Sequence, residues 1–344
     1  MNKIKGNVLV TGGNGFIAGY LIQELLQQNY KVIALDNFSK YGRVSKSYDD
    51  DPNYELIEGD VKDSELLLSL LENCDHLIAC AAMIGGISYI HEFAYDLLSE
   101  NEKINCSTFD AAIKANKFFD LKKITVLSSS MVYERCKHYP SSEGMQLESP
   151  PPSSTYGFQK LTCEYFAKGA YEQYKLPYTI VRPFNCIGIG EKKIKYGKDV
   201  LSGNIKLALS HVVPDIIQKI LKGQYPLHIL GDGNQIRHYT YGGDIARGIR
   251  ICMEHENSLN EDFNISSDRS TSVIELSNIV WNKIHPDLEF KFISDAPYQW
   301  DVQKRVPDVT KAYELLGYKS EVSLEESLDE IIPWVKDQIE LGGL

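Results

Sequence analysis

The sequence of 344 residues lacks the features of a membrane or secreted protein. No apolar run reaches the length needed to span a bilayer. The N-terminal residues enter the first predicted strand directly, which leaves no room for a signal peptide. Long-range repeats and low-complexity linkers are also missing. We therefore expect one large or two modest globular domains with a full hydrophobic core.

Paired cysteines and clustered histidines are missing as well. The seven cysteines are an odd number without a Cys-x-x-Cys pair, which favours a reducing cytoplasm over a disulfide framework. The eight histidines are scattered, and none are paired at metal-ligand spacing. The sequence therefore predicts a cytoplasmic protein without a metal.

Positive charge is scarce. The 36 lysines and arginines are outnumbered by 47 acidic residues, which gives a formal net charge of −11. This balance argues against wrapping a nucleic-acid backbone. Any anionic ligand must be held by a local cluster of cations.

A glycine-rich turn lies near the N-terminus. An apolar strand at residues 8–11 leads into Gly12 and Gly15, and a helix follows that opens with Phe16 and Ile17. Glycines let backbone N–H groups approach a pyrophosphate, and the helix N-terminus adds positive dipole and free donors. The position between a strand and a helix is the one that a dinucleotide-binding motif requires. The alternative is a tight turn without a ligand.

Two carboxylates follow predicted strands. Asp36 ends the second strand, where a carboxylate accepts hydrogen bonds from both ribose hydroxyls of NAD and repels the 2′-phosphate of NADP. The third strand is predicted to end at Asp60, whose carboxylate can hold the adenine amino group while Val61 packs beside the ring. This pattern predicts NAD as the cofactor.

Strands alternate with helices along the first half of the chain. The alternation predicts an α/β fold with a doubly wound parallel sheet of the Rossmann type and right-handed crossovers. Ligands of such sheets bind at the carboxyl ends of the strands. The fourth strand ends in small residues that would let a dinucleotide lie flat, namely Cys80, Ala81 and Ala82. The later strands are predicted at residues 76–82, 124–127 and 178–181, with helices at 66–71, 96–115 and from 156.

A serine and a tyrosine–lysine pair are the catalytic candidates. Ser129 follows the fifth strand, and Tyr156 and Lys160 lie at i and i+4 on one helical face. Other pairs share this spacing, but only Tyr156 stands at a helix start, directly after capping signals at 153–155. The alternative is an ordinary surface pair.

This pair supplies a base. A phenol in water is too weak an acid to lose its proton near neutral pH. One positive charge at about 4 Å, with an effective dielectric constant near 20, stabilises a phenolate by about 4 kcal/mol. The ammonium of Lys160 and an oxidised nicotinamide would each provide such a charge. We expect Tyr156 to take a proton from a substrate hydroxyl while hydride leaves its carbon, with Ser129 hydrogen-bonded to the same oxygen.

Together these motifs resemble the extended short-chain dehydrogenase/reductases, in particular the NAD-dependent nucleotide-sugar epimerase/dehydratase family. The likeness runs from Val8 to about Ile332 and includes the Arg-Pro-Phe-Asn run at 182–185. A serine or threonine, a tyrosine and a lysine are catalytic in that family, which matches the three candidates. The resemblance also places Asn105 near the nicotinamide and implies a homodimer formed through a four-helix bundle. The predicted cofactor contacts are Gly12, Gly15, Phe16, Ile17, Asp36, Asn37, Asp60, Val61, Cys80, Ala81, Ala82, Asn105, Tyr156 and Lys160.

The resemblance further implies that the C-terminal part binds a nucleotide-diphosphate sugar. Asn185 resembles a diphosphate contact of the family, and Arg237 and Arg305 resemble arginines that fork onto the diphosphate, for which a guanidinium suits well. Val212 lies in a stretch that resembles the segment packed on the nucleotide base. Surface ion pairing is the alternative for the arginines. The implied domains are residues 1–183 with 236–268 for NAD, and 184–235 with 269–344 for the nucleotide sugar.

Departures from the family pattern narrow the expected reaction. The 4,6-dehydratases carry an Asp-Glu pair where this chain has Ser130 and Met131, and neither residue can act as an acid or a base. Hydride transfer and one phenolate suffice for 4-epimerisation at C4, which we favour over 4,6-dehydration. One-way oxidation or reduction at C4, with NAD as a consumed co-substrate, is the alternative. The loop at 83–89 looks more like that of mannose- or fucose-nucleotide enzymes, which favours a GDP-linked or unusual sugar over UDP-galactose. A non-catalytic cofactor-sensing subunit would show a disrupted tyrosine–lysine pair.

Overall fold

The computed structural model describes residues 3–85, 92–191, 211–297 and 302–342. Its strands are β1 (Asn7–Thr11), β2 (Lys31–Asp36), β3 (Tyr54–Glu58), β4 (His76–Ala79), β5 (Lys123–Leu127), β6 (Tyr178–Pro183), β7 (Cys186–Ile187), β8 (Leu227–Leu230), β9 (Ile236–Arg237), β10 (Thr240–Tyr241), β11 (Glu261–Ile265), β12 (Thr271–Ser272) and β13 (Phe292–Asp295). Its α-helices are α1 (Phe16–Gln27), α2 (Ser64–Leu71), α3 (Ala94–Phe118), α4 (Met145–Glu148), α5 (Thr155–Tyr174), α6 (Val212–Leu221), α7 (Gly242–Glu254), α8 (Val273–Ile284), α9 (Thr310–Leu316) and α10 (Leu324–Glu340).

A seven-stranded sheet occupies the centre of the fold. Its order is β11-β6-β5-β4-β1-β2-β3, and all neighbouring strands are parallel. The predicted doubly wound sheet is therefore confirmed, and β11 adds a seventh strand beside β6. All carboxyl ends share one edge, and the strand order reverses between β1 and β4, the kind of place where open α/β sheets bind ligands.

Apolar side chains cover both faces of this sheet. Helices α1 and α7 contribute to the core on one face, and α2, α3 and α5 to the core on the other. Every residue of β5 and β6 is buried, which explains their apolar runs. A third core forms around Trp281 from α6, α8, α10 and β8. Ala312, Leu316 and Tyr318 pack into the first core, although they lie in sequence between α8 and α10, which belong to the third.

Two strands end earlier than the sequence pattern predicts. Strand β3 ends at Glu58, and Asp60 lies in the turn before α2, whose N-terminus is capped by Asp63. Strand β4 ends at Ala79 instead of residue 82, because the N–H groups of Cys80 and Ala81 donate to Thr11 Oγ1, each at 3.2 Å. The prediction of longer strands is wrong at both ends, and at β4 the reason is that a side-chain acceptor replaces the ladder. Within the described residues, no helix has both the length and the apolarity to cross a bilayer.

Candidate functional site

The glycine turn packs directly on the end of β4. Gly12 has a φ of +66°, and a methyl group there would lie 2.8 Å from the Cα of Ala81. Gly15 caps α1 without a side chain, and the first turn of that helix contains no acidic residue. Phe16 and Ile17 then open the helix, as predicted. The backbone donors at this helix N-terminus therefore face no carboxylate of their own turn.

Asp36 lies at the end of β2, beside this turn. Its carboxylate accepts hydrogen bonds from the N–H groups of Asn14 at 2.9 Å and Phe38 at 2.7 Å. Asn37 donates through Nδ2 to Asp60 at 3.3 Å, so the predicted adenosine contacts are brought together. Val61 is buried, and its carbonyl accepts from Ser107 at 2.7 Å.

The loop after β4 is held by a residue that sequence reasoning missed. Asn101 of α3 is 1 % exposed, accepts from the N–H of Met83 at 2.7 Å and donates to its carbonyl at 2.9 Å. The predicted Asn105 lies one helical turn further on, with Nδ2 3.4 Å from Glu102, and lines a small pocket together with Ala81 and Lys160. Residues 86–89 of the predicted substrate loop lie outside the described residues.

Helix α5 carries both members of the tyrosine–lysine pair. Ser154 caps the helix by accepting from the N–H of Gly157 at 3.0 Å, so the predicted helix start is confirmed. Lys160 is buried and donates through Nζ to the carbonyl of Leu127 at 2.7 Å, directly below the carboxyl end of β5. Tyr156 is 7 % exposed.

The turn that carries Ser129 packs against the start of α5. Ser129 begins a 3₁₀-helix at Ser130–Tyr133, and its Oγ accepts from the N–H of Met131 at 3.2 Å. Glu134, at the end of that helix, accepts from both N and Oγ of Ser154, at 2.9 and 3.1 Å. Met131 and Tyr156 belong to one buried apolar cluster. The three catalytic candidates therefore sit on two elements that are bonded to each other.

The apolar cluster around Tyr156 combines several chain segments. Its members are Phe93, Leu97, Met131 and Tyr156, with Met83, Ile84 and Val302 packed at its edge. The structure thus places Met131, the position of interest for the reaction, against the candidate base. Burial also raises the pKa of the nearby Cys80 thiol to about 12, against the opposing charge of Lys160. Cys80 is therefore neutral at physiological pH.

The backbone segments that carry the two predicted arginines lie side by side, since Lys304 forms an isolated bridge with Ile236. Arg305 donates its N–H to the carbonyl of Ile236 at 3.1 Å, and Arg237 follows Ile236 in β9. Arg237 is buried.

The other two predicted substrate contacts lie on other segments. Asn185 has a φ of +35° after β6, and its buried Oδ1 lacks a hydrogen-bond partner among the described residues. Val212 is the first residue of α6.

The residues at the sheet edge fit a dinucleotide. The close approach of Gly12 to Ala81, the open N-terminus of α1 and the anchored Asp36 match the needs of a pyrophosphate and an adenosine ribose. No group of three or more histidine, cysteine or acidic side chains suited to a metal occurs in the described ranges.

Glu134, Asn101 and the Arg182–Glu164 pair were not singled out as functional from the sequence. Glu134 follows the Ser129 turn by a few residues and Glu164 follows Lys160 by one helical turn, so proximity to a motif was the available signal. The partner of Asn101 lies on another element, and the sequence alone gave no signal for it.

Comparison with known proteins assigns the chain to a family. A protein of Methanocaldococcus jannaschii, assigned provisionally as a UDP-glucose 4-epimerase, is 30% identical over 332 residues, which cover 96% of this chain and 98% of that protein. The UDP-N-acetyl-alpha-D-glucosaminuronate decarboxylase of Bacillus cytotoxicus is 28% identical, with 97% and 99% covered.

A solved structure is also similar over nearly the whole chain. The UDP-glucuronic acid 4-epimerase from Bacillus cereus, in complex with UDP-glucuronic acid and NAD, superposes with a TM-score of 0.80 at 25% identity and covers 96% of this chain and 99% of its own. The family model that matches residues 8–266 is that of the NAD dependent epimerase/dehydratase family. The chain therefore belongs to the NAD-dependent epimerase/dehydratase family and is an NAD-dependent enzyme that modifies nucleotide-linked sugars.

Proposed function

We propose that this enzyme transfers hydride at C4 of a nucleotide-diphosphate sugar, with 4-epimerisation as the net reaction. The observation that carries the proposal is the placement of Tyr156 and Lys160 at the start of α5, bonded to the strand end that leads to Ser129. This constellation offers one base and one hydroxyl at the carboxyl edge of the sheet. A reversible oxidation of an alcohol needs no more from the protein.

The protein residues then have separate roles. Bound NAD supplies the site with a hydride acceptor and donor. Tyr156 takes the proton of the C4 hydroxyl, and Ser129 holds the same oxygen. Lys160 is fixed by the carbonyl of Leu127 and stabilises the phenolate by its charge. After rotation of the 4-keto sugar, hydride returns to the opposite face of C4, and Tyr156 gives its proton back to the C4 oxygen.

The residues next to Ser129 favour epimerisation over elimination. Dehydration needs an additional acid or base beside the sugar. Ser130 is 2 % exposed, and Met131 is buried in the apolar cluster with Tyr156, so neither supplies that group. The decarboxylase and 4-epimerase relatives share the fold, and this local chemistry supports the second activity for the present chain.

The substrate is proposed to lie between the two sequence-defined parts of the chain. Residues 1–183 with 236–268 would hold NAD, and residues 184–235 with 269–344 the nucleotide sugar. The backbone hydrogen bond from Arg305 to Ile236, next to Arg237 in β9, supports the proposal that both arginines act on one diphosphate. Asn185 is proposed as a further contact, and Val212 is proposed to lie beside the base. Two arginines give an acidic protein a local site for an anion.

We also propose that the protein forms a homodimer through α3 and α5. These helices pack together and carry exposed aromatic side chains. Tyr95 is 79 % exposed, Tyr165 59 % and Phe158 45 %. Such a concentration of exposed rings is typical of an interaction surface.

The proposed reaction is tested by incubating the purified enzyme with NAD and individual UDP-, GDP- and dTDP-hexoses. We follow absorbance near 340 nm and analyse the sugar by NMR. A 4-epimer without net NADH supports the proposal. Stoichiometric NADH and a 4-keto sugar would identify a one-way dehydrogenase, and loss of water would identify a 4,6-dehydratase. Failure to convert any of these sugars would contradict the proposed function.

A further inference from the structure

A fully buried ion pair lies directly behind the candidate catalytic turn. Arg182 of β6 is 0 % exposed and Glu164 of α5 is 1 % exposed. The guanidinium forks onto the carboxylate, with Nε to Oε1 and Nη2 to Oε2 both at 2.7 Å. Glu164 lies one helical turn after Lys160. The Arg182–Glu164 ion pair therefore anchors to β6 the same helix that carries Tyr156.

The charges around the pair are nearly balanced. Nη2 of Arg182 also contacts Asp262 of β11 at 2.6 Å, and Lys311 contacts Asp262 at 3.1 Å. Gln146 donates to Oε2 of Glu164 at 3.3 Å. A buried ion pair adds little net stability compared with apolar packing, because desolvation offsets the attraction. Its presence here calls for another role.

Both ends of the Ser129 turn are bonded to this pair. Before the turn, Ser128 donates through Oγ to Glu164 at 2.5 Å. After it, Tyr133 accepts through its hydroxyl from Nη1 of Arg182 at 3.0 Å. The hydroxyl of Tyr133 in turn donates to Asn264 of β11 at 3.0 Å. The turn therefore cannot shift without breaking a charge-assisted hydrogen bond.

We propose that the Arg182–Glu164 pair is a positioning device that sets the Ser129 hydroxyl relative to Tyr156. The inference rests on the proposed function, in which both hydroxyls meet one substrate oxygen. The hydrogen bond from Ser128 to the buried carboxylate of Glu164 fixes the backbone next to Ser129. Lys160 donates to the carbonyl of Leu127, which ends the same strand. Small misplacements matter in such a site, since a shift of about 1 Å can cost about a hundredfold in rate.

Glu164→Gln tests this role by removing the buried negative charge while keeping the length of the side chain. The variant keeps the side-chain shape, and Arg182 retains Asp262 as a counter-ion. We expect kcat to fall by about ten- to a hundredfold with the KM for the nucleotide sugar and the bound NAD content nearly unchanged. Ser128→Ala removes only the link to the turn. It should lower kcat less, and the double variant should be no slower than Glu164→Gln alone.

Glu24→Gln provides a matched control. Arg250 also contacts two carboxylates, Glu24 at 2.7 Å and Glu254, on helices α1 and α7. Loss of the Glu24 carboxylate should lower the melting temperature without lowering kcat. Additive effects of Ser128→Ala and Glu164→Gln, or a kcat of Glu164→Gln equal to that of the native enzyme, would overturn the positioning role.

A crystal structure of Glu164→Gln separates this inference from the proposed function, because it does not depend on turnover. Displacement of the Ser128–Ser129 turn away from Tyr156 supports the positioning role. An unmoved turn overturns it, whatever reaction the native enzyme catalyses. Absence of turnover in the native enzyme would instead overturn the proposed function.

Discussion

The phenol of Tyr156 lies in a setting where few other side chains can exchange a proton. It packs in an apolar cluster, and Lys160 follows one helical turn later with its ammonium tied to Leu127. Ser129 carries only a hydroxyl, which neither gains nor loses a proton near neutral pH. Proton transfer in the proposed reaction therefore depends on one side chain.

Tyr156→Phe should abolish turnover and spare cofactor binding. Loss of a general base typically costs a factor of about 10² to 10⁴ in rate, and the ring still fills its place in the cluster. Initial rates with the best nucleotide sugar, together with bound NAD measured after denaturation, check this expectation. Tyr171→Phe, which removes a phenolic hydroxyl fifteen residues further along the same helix, serves as the comparison. A Tyr156→Phe enzyme that retains native kcat would exclude the phenol as the base.

Residues that belong to local motifs were the ones predicted from the sequence. Gly12, Asp36, Tyr156 and Lys160 each stand at a fixed offset from a strand or helix end, and the structure places them at the predicted ends. Asn101 was not predicted because its partner, Met83, lies on another element. Hydrogen bonds between elements depend on packing, which a single sequence does not reveal.

At the scale of elements, Asn101 joins α3 to the loop after β4 by hydrogen bonds. The amide of this residue satisfies both the N–H and the carbonyl of Met83, which is the pattern of a short strand pair. The loop leads from the cofactor edge to Ile84, which packs near Tyr156. Its position is therefore coupled to the helix.

Asn101→Ala should weaken both stability and catalysis. Two backbone groups of Met83 lose their partner, which costs about 1–3 kcal/mol in the free energy of unfolding. We expect kcat to fall as well, because the loop that packs beside the base is released. Thermal melts and steady-state kinetics check this.

Asn116→Ala is the control on the same helix. Its Nδ2 donates to the carbonyl of Leu121 at 2.6 Å, at the far end of α3. That variant should melt earlier with unchanged kcat. Equal kinetic behaviour of the two variants would show that the Met83 loop has no part in turnover.

The long elements of the fold were predictable, and the small sheets were not. Five of the seven strands of the central sheet have apolar runs, whereas β3 and β11 mix polar with apolar residues. The alternation of the apolar strands with helices is therefore evident from the sequence pattern. The pairs β7–β10 and β9–β12 have two residues per strand, too few to show any period. Each pair joins strands that are far apart in the sequence, so it forms only when the larger fold places them side by side.

At the scale of the whole molecule, stability should depend on pH through His76. Burial, with Lys123 and Lys122 nearby, lowers the pKa of His76 from 6.5 to about 4. Its Nδ1 is buried without a hydrogen-bond partner among the described residues. Between those two pH values the unfolded chain binds a proton that the folded chain does not. The free energy of unfolding therefore falls as the pH drops from 6.5 to 4.

The size of this effect is bounded by the difference between the two pKa values, at most about 3 kcal/mol. Urea unfolding at pH 7.5, 6 and 5 measures it. In His76→Gln the decline over this range should be smaller, whereas His138→Gln, an exposed histidine, should retain the native decline. Identical slopes for the native protein and His76→Gln would refute the assignment.

The proposed dimer is tested by a charge placed on α5. Tyr165→Asp puts a carboxylate within the exposed aromatic surface and should shift the protein from dimer to monomer in sedimentation velocity. Tyr313→Asp is the matched control, since that tyrosine is 61 % exposed on α9. A native protein that sediments as a monomer at micromolar concentration would contradict the proposed interface.

The place of β11 in the chain has a consequence during synthesis. Strand β6 is complete long before β11 leaves the ribosome, yet β11 is its only neighbour on that side of the sheet. A nascent chain that ends after β10 thus presents a bare row of backbone donors and acceptors, the kind of edge that recruits other chains. In such a nascent chain Arg182 also lacks its second counter-ion, Asp262. Shielding by a chaperone is most needed in that interval, and fragments truncated before residue 261 should aggregate where the full-length protein does not.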